Sequence, residues 1–472
     1  MSVMAPVQNK LASKSIKPLT PTAGEAARTP FEQSFRNHFL ETLLSNDEST
    51  GICALRHQAL SAFEAQGFPT RKNEAWKYLA LSPLLNQAFI PFAPAATLIQ
   101  PEAYFLSESD GARLVFANGR YQAALSDTRA LPEGVIFCDL PSALSVHQDL
   151  AASVLDKNSK NDDAFAMLNT VGLEQGLLLH VPENSVLQVP LQILYLVDPQ
   201  PAQSQDNAAE LANFRMVFSL GKNSRAVVTV QTVSSETVSS LYFNNFVHDI
   251  VAAESAHLNL SWIQLEAPTA WQFSNARVHL EEASQVTINH VDLGAAVARH
   301  SVVVKFAAEK AHCELNGLNV LKGKSEVYQN VVMDHAMPNN TSEQFYKSIL
   351  DDQTRSEFNG TVKVALNANG TDSHQLTKNL LLSEDARAFA RPQLQILADD
   401  VKCNHGATVG QLEPSQLFYL KSRGLDPELA ESLLMYGFAE EMIEKLPVAS
   451  LRKYLDERLL SQLKQSQIVT NL

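Results

Sequence analysis

One short pattern returns through the middle of this chain: a small residue, then apolar residues at alternate positions, after a polar turn. It reads Ala226-Val-Val-Thr-Val230, Ala256-His-Leu-Asn-Leu260, Ser284-Gln-Val-Thr-Ile288 and Ala311-His-Cys-Glu-Leu315. Successive starts differ by 30, 28 and 27. Weaker copies begin near Thr354 and Ala386. Alternation with period two marks a strand with one covered face. A repeat of roughly 30 residues marks stacked units that bury their apolar faces only against one another. The pattern therefore predicts a parallel β-helix over residues 165–412, with coils about 4.8 Å apart. A sandwich or a β-propeller competes, but propeller blades need longer periods with motifs of their own.

Helical signals flank this core. Thr29-Pro30 with Glu32 forms a capping box, and Phe31, Phe35, Phe39 and Leu43 follow at i+4 spacing. A second stripe, Ile52, Leu55, Ala59 and Phe63, ends before Gly67. This predicts an N-terminal helical domain over 29–155, closed by the polar run Asp156–Asp163. Within it, Trp76 and Tyr78 suit a packed amphipathic connector. After the β-pattern, Asp426-Pro427-Glu428 starts a helix carrying Leu429, Leu433 and Leu434, which Gly437 interrupts. Leu451, Leu455 and Leu459 mark a last helix, so 413–472 reads as a C-terminal helical domain. These helices need a surface to cover, either the end of the solenoid or a partner.

With 37 basic and 51 acidic residues among 472, the net charge of −14 argues against wrapping a polyanion, so nucleic acid is not an expected partner. Cys53, Cys138, Cys313 and Cys403 lie too far apart for a metal knuckle or a secreted disulfide framework and read as reduced thiols. No apolar run is long enough to span a membrane and no secretory leader is evident, so a cytoplasmic location is expected. Residues 1–28, with Lys10, Lys14, Lys17 and Arg28, read as a disordered tail rather than a transit peptide.

Few motifs carry chemistry. Gly323-Lys324-Ser325 ends like a phosphate loop, but the glycine required at 318 is leucine, so this chain is expected to bind no nucleotide. No nucleophile elbow or His-Glu-X-X-His helix appears. Asp351-Asp352 and Asp399-Asp400 would be the acid pairs of a carbohydrate-active β-helix enzyme, but neighbours on a strand face opposite ways, which suits turns better. Cys403 and His405 instead share one face of a strand, about 7 Å apart, within reach of one soft metal. The same spacing suits a buried thiol and a hydrogen-bonded imidazole. Asp372 and His374 come about one period before Cys403 and His405 and would stack beneath them, Asp372 under Cys403 and His374 under His405, if the register holds.

The stretch Ala398-Asp-Asp-Val-Lys-Cys-Asn-His-Gly-Ala-Thr-Val-Gly410, followed by Gln416–Leu425 and Leu433-Leu434-Met-Tyr-Gly437-Phe438, resembles the C-terminal signature of the SufB/SufD family of iron–sulfur cluster assembly proteins. Arg71–Tyr78 is similar to the family's N-terminal motif, and Thr371–Gln375 with Asn379–Ser383 to its late β-helix motif. The Cys-Asn-His-Gly-Ala-Thr version favours the SufD branch. The resemblance implies a right-handed β-helix scaffold, not an enzyme, that pairs with a SufB-like paralogue, or with itself when alone. It also implies a SufC-type ATPase bound through the C-terminal helices, where Phe418, Tyr419, Arg423, Gly424, Leu433, Leu434, Gly437 and Phe438 would serve contact. His405, and less directly Cys403, would hold a transient iron–sulfur cluster shared with the partner, with Asp372 and His374 behind them. His405 or bound iron would supply the charge that lowers the Cys403 pKa. A reduced flavin is implied for the complex, although no dinucleotide fingerprint places it here. A carbohydrate-active β-helix and a purely structural solenoid are the competing readings.

Overall fold

The computed structural model describes residues 28–40, 51–93, 99–158, 163–173, 175–199, 208–235 and 237–462. The expected tail over 1–28 lies almost wholly outside them, as do Leu43 and most of the polar run before Asp163.

The repeat is a parallel β-solenoid of about seven turns. Each coil contributes one strand to each of two ten-stranded sheets. The first sheet stacks Ala209–Leu220, Tyr242–Ala252, Ala270–Leu280, Val297–Phe306, Glu326–His335, Arg355–Val364 and Arg387–Ile396. The second stacks Arg225–Ser234, His257–Leu265, Gln285–Asp292, His312–Leu321, Thr341–Leu350, Thr371–Leu381 and Val401–Gly410. The weak repeats near Thr354 and Ala386 start strands of the first sheet, whereas the four strong ones belong to the second. Two strands per turn print the same small-apolar pattern twice, so the later copies fall out of phase with the earlier column.

Inward side chains form one continuous core, from Leu114, Leu179 and Ile193 at one end through Val228, Leu260, Ile288 and Leu315 to Phe358 and Val362. Each large side chain so buried contributes about 1.5–3 kcal/mol. The corners repeat as well. Asn223, Ser255 and Ala283 adopt left-handed backbone conformations, and each donates its N–H to the turn of the next coil, at Glu254, Glu282 and Glu309.

The N-terminal segment is not purely helical: Arg113–Ala117 and Ile136–Asp139 extend the two sheets and cover their first edges. Its helices form an outer layer on the first sheet. The cap at Thr29 forms as expected, its hydroxyl accepting from Glu32 N at 3.2 Å, and Gly67 ends its helix at φ +67°. Phe31, Phe35, Phe63, Trp76 and Phe165 meet Phe243 and Phe273 on the sheet's outer face. The second sheet is covered by the C-terminal helices Pro427–Ile443 and Ala449–Gln462, whose Met442, Ile443, Leu451 and Leu455 pack on Ile263, Val291 and Leu318. Gly437 does not interrupt the first of these, which runs unbroken through it because exposed glycine costs only about 1 kcal/mol in a helix held by packing.

Candidate functional site at the open end of the solenoid

Among the described residues, strands Arg387–Ile396 and Val401–Gly410 end the two sheets, each paired on one side only. Their outer edges offer unpaired backbone donors and acceptors, a template for strands of another chain. Cys403 and His405 sit on this last rung.

The register decides what lies beneath them. Ser373 pairs with Cys403 and Gln375 with His405. The expected pairing of Asp372 with Cys403 and of His374 with His405 is therefore wrong by one, and a slip of one turns a strand's side chains to the other face. Asp372 and His374 align instead with Lys402 and Asn404 on the outer face. There His374 Nε2 lies 2.8 Å from Asp372 Oδ1, and its Nδ1 is 2.9 Å from Asn404 Oδ1. They do not stack under Cys403 and His405.

The inward column under the site is polar. Ser342 and Ser373 hydroxyls lie 2.8 Å apart below Cys403, and His335 Nε2 meets Ser342 at 2.9 Å. Gln375 donates to Gln344 at 3.2 Å below His405. Cys403 is half-buried against the solenoid core, and His405 is exposed. Burial, with the Asp372 carboxylate nearby, pushes the Cys403 thiol up. The lowering expected from His405 or bound iron would have to act against this desolvation. Among the described residues no three His, Cys, Asp or Glu side chains converge on a metal position. This rung offers one sulfur and one nitrogen donor, an incomplete set that a second chain could complete.

Two clamps missed by sequence reasoning hold the surrounding elements. The N-terminal motif grips the last strand of the first sheet: Tyr78 stacks on Phe389 at 4.2 Å, and Arg391 donates to the Glu74 backbone oxygen at 3.0 Å while pairing with the Glu74 and Glu357 carboxylates. Arg299 lies 3.6 Å over the Trp76 ring and reaches Asp163. The packed-connector reading of Trp76 and Tyr78 is thus correct, and the signal for its partners was arginine at outward strand positions. On the second sheet, buried Lys347 donates to the Phe438 carbonyl at 2.7 Å, pairs with Glu441 and lies 4.5 Å from the Phe438 ring. Lys347→Met keeps the aliphatic stem but removes these bonds, at a cost of about 1–3 kcal/mol. Amide hydrogen exchange across 427–443 should accelerate while the solenoid strands stay protected; unchanged exchange would show that apolar packing alone holds the helix.

The remaining contact candidates divide. Phe418 and Tyr419 are 74% and 55% exposed on helix Pro414–Ser422, which buries no residue of its own, and Arg423 lies 5.3 Å from the Tyr419 ring. Gly424 turns the chain at φ +92°. Leu433 and Leu434 are half-buried, Gly437 is exposed, and Phe438 faces inward onto Lys347. Gly323 lies in a turn between two strands, its N–H donating to Asp352 Oδ2 at 2.9 Å, and no helix follows it. Asp351, Asp352, Asp399 and Asp400 lie between strands. No described helix is long and apolar enough to cross a membrane.

Comparison with known proteins accounts for this arrangement. A family model described as "SUF system FeS cluster assembly, SufBD core domain" matches residues 202–438, and one described as "SufBD protein N-terminal region" matches 29–193. The chain is 32% identical to the iron–sulfur cluster assembly protein SufD of Escherichia coli, over 87% of this chain and 93% of that protein. It is 30% identical to the SufBD family protein slr0076 of Synechocystis over 87% and 91%, and 27% identical to the chloroplastic protein ABCI7 of Arabidopsis thaliana over 96% of each. A two-sheet solenoid whose open last rung bears the Cys-Asn-His-Gly-Ala-Thr strand, matched along nearly its whole length, places this chain in the SufBD family of iron–sulfur cluster assembly proteins.

Proposed function

We propose that this chain is a SufD-type scaffold subunit, which joins a SufB-like paralogue across the open solenoid end and builds an iron–sulfur cluster there as cargo. The observation that carries the reading is the last rung, where Cys403 and His405 stand on a strand with an unpaired edge. Strand pairing across that edge would bring the partner's donors to the two offered here; a second copy of this chain would take the same place when the paralogue is absent. The thiol must lose its proton to bind iron, and iron itself supplies the charge that favours the thiolate.

The exposed Phe418, Tyr419 and Arg423 form the contact for a SufC-type ATPase. Hydrolysis in that partner would move the C-terminal helices, and Lys347 with Lys445, paired to Glu314 at 2.7 Å, would carry the movement to the second sheet. This chain itself performs no catalysis. A groove of about 640 Å3 between Leu293–Ala296, Lys322–Ser325 and Arg458–Gln462 has no aromatic side chain in its lining on which an isoalloxazine would stack, so no flavin step is assigned here.

Anaerobic co-expression with a SufB-like and a SufC-type protein tests the reading. A stable complex is expected, and after reconstitution His405→Ala should lower the visible cluster absorbance on the order of tenfold with the complex intact. Unchanged absorbance would remove the ligand role from His405. Failure to co-purify, with cleavage of a polysaccharide instead, would overturn the scaffold reading itself.

A further inference from the structure

The two strand edges at the open end are not equivalent. In a parallel pair a residue's N–H and C=O both reach one neighbouring strand, and those of the next residue reach the other way. On the last strand of the first sheet the odd residues bond back into the sheet: Arg387 N donates to Thr354 O at 2.9 Å and Leu397 N to Val364 O at 3.0 Å. The free edge therefore belongs to Ala388, Ala390, Pro392, Leu394 and Ile396. Pro392, at the centre of that set, has no N–H and turns its ring to the edge. A proline so placed blunts a strand edge.

The second sheet has no such block. One coil back, Asp372 N donates to Asn340 O at 3.0 Å and Leu382 N to Leu350 O at 2.8 Å, so the odd residues of Thr371–Leu381 bond forward to the last strand. The even residues of Val401–Gly410 answer them, which leaves the backbone N–H and C=O of Val401, Cys403, His405, Ala407 and Val409 at the edge. None of these groups has a backbone partner among the described residues. The strand carries a single charge, Lys402, and no proline.

Turned antiparallel on itself, this strand is self-complementary. With His405 opposite the partner's His405, Cys403 falls opposite the partner's Ala407 and Val401 opposite the partner's Val409, and every outward residue exchanges both bonds. A shift in either direction leaves end residues unpaired. The matching pair on the first sheet would centre on Pro392, ring against ring where each strand should donate.

We propose that two copies of this chain join through the second sheet alone, Val401–Gly410 pairing antiparallel with its own copy about a two-fold axis at His405, while Pro392 holds the first sheets apart. The inference rests on the reading of the open end as a subunit junction and adds which edge makes it. It gathers two Cys403 thiols and two His405 rings at one junction, doubling the donor set offered to the cargo.

Sedimentation of the full chain, alone and at increasing concentration, measures the association. Ala407→Pro removes an outward N–H that makes no bond within the chain, and does so twice in the pair. The dissociation constant should rise about a hundredfold, roughly tenfold per lost bond. Ala390→Pro removes an outward N–H of the first sheet and should change it by less than about twofold. A loss from Ala390→Pro as large as that from Ala407→Pro would overturn the proposal. Residue-resolved hydrogen exchange of the wild type decides the matter even if a variant does not fold. The amides of Cys403, His405, Ala407 and Val409 should slow on association while those of Ala388, Ala390, Leu394 and Ile396 stay fast; slowing on both edges, or on neither, sinks the assignment. A chain that stays monomeric at high micromolar concentration overturns this inference alone, and co-purification with the paralogue still decides the scaffold reading.

Discussion

Asp249→Ala is expected to be among the most damaging single substitutions in the chain, lowering stability by about 3–5 kcal/mol. Asp249 is fully buried between the first sheet and its helical cover. Its Oδ2 accepts from Arg215 Nε at 2.7 Å and its Oδ1 from Arg277 Nε at 2.8 Å, while Arg215 also donates to Thr170 Oγ1 at 2.8 Å. Two guanidiniums that cannot lose their protons would then share a dry layer without their anion. The contribution of the intact triad is a separate quantity, because the attraction only offsets the desolvation of three charges. Replacing all three together by Met, Leu and Met should therefore cost far less than Asp249→Ala alone. Denaturation midpoints of the two variants make the comparison. Equal losses, or a loss under about 1 kcal/mol for Asp249→Ala, would show that water reaches the pair.

Asp249 also shows where the sequence was mute. Alternation in Tyr242–Ala252 announces a strand with Phe246, His248 and Ile250 on one face, but nothing in it says that the opposite face, with Asp249, is covered as well. Both faces are buried because N-terminal helices pack outside, and that depends on contacts between residues far apart in the chain. Capping signals at Thr29 and Asp426 were legible because they act within three residues. The solenoid was legible because its repeat is written in the inward column. Coil length was legible only to within a residue or two, since corners absorb insertions without disturbing the strands. That margin was enough to place Cys403 and His405 on one face, which depends on their own spacing. It was not enough to say what lies beneath them, which depends on the register with the previous coil. Arg391 and Lys347 went unread for the same reason as Asp249: each has its partners in another layer, Glu74 and Glu441.

Stability should pass through a maximum near pH 6.5, because the buried imidazoles and one buried carboxyl pull in opposite directions. Burial pushes His248 down to about 3, His335 down to about 4 and His290 well below its ordinary value; for His248 the Asp249 charge acts the other way and is outweighed. Below pH 6.5 the unfolded chain binds protons that these folded rings refuse, so stability falls with pH by about 1.4 kcal/mol per unit for each ring. Burial raises Glu266 to about 8, against hydrogen bonds from Asn244 and Tyr242 that favour its charged form. Between pH 4.5 and 8 the folded state therefore holds a proton that the unfolded chain has released, and stability falls as pH rises through this window. Above 6.5 the Glu266 effect costs about 2 kcal/mol by pH 8; below 6.5 His248 and His335 together outweigh it by about 3 kcal/mol at pH 4.5, and His290, His180, His257 and His279, which burial also lowers, add to the acid loss. Glu266→Gln is neutral at every pH and should flatten the alkaline limb while leaving the acid limb in place. Chemical denaturation at half-unit steps from pH 4.5 to 8.5 measures both limbs. A midpoint that climbs steadily through pH 8.5 in the wild type would mean that Glu266 ionises in the fold, and with it that water reaches the carboxyl inside the solenoid.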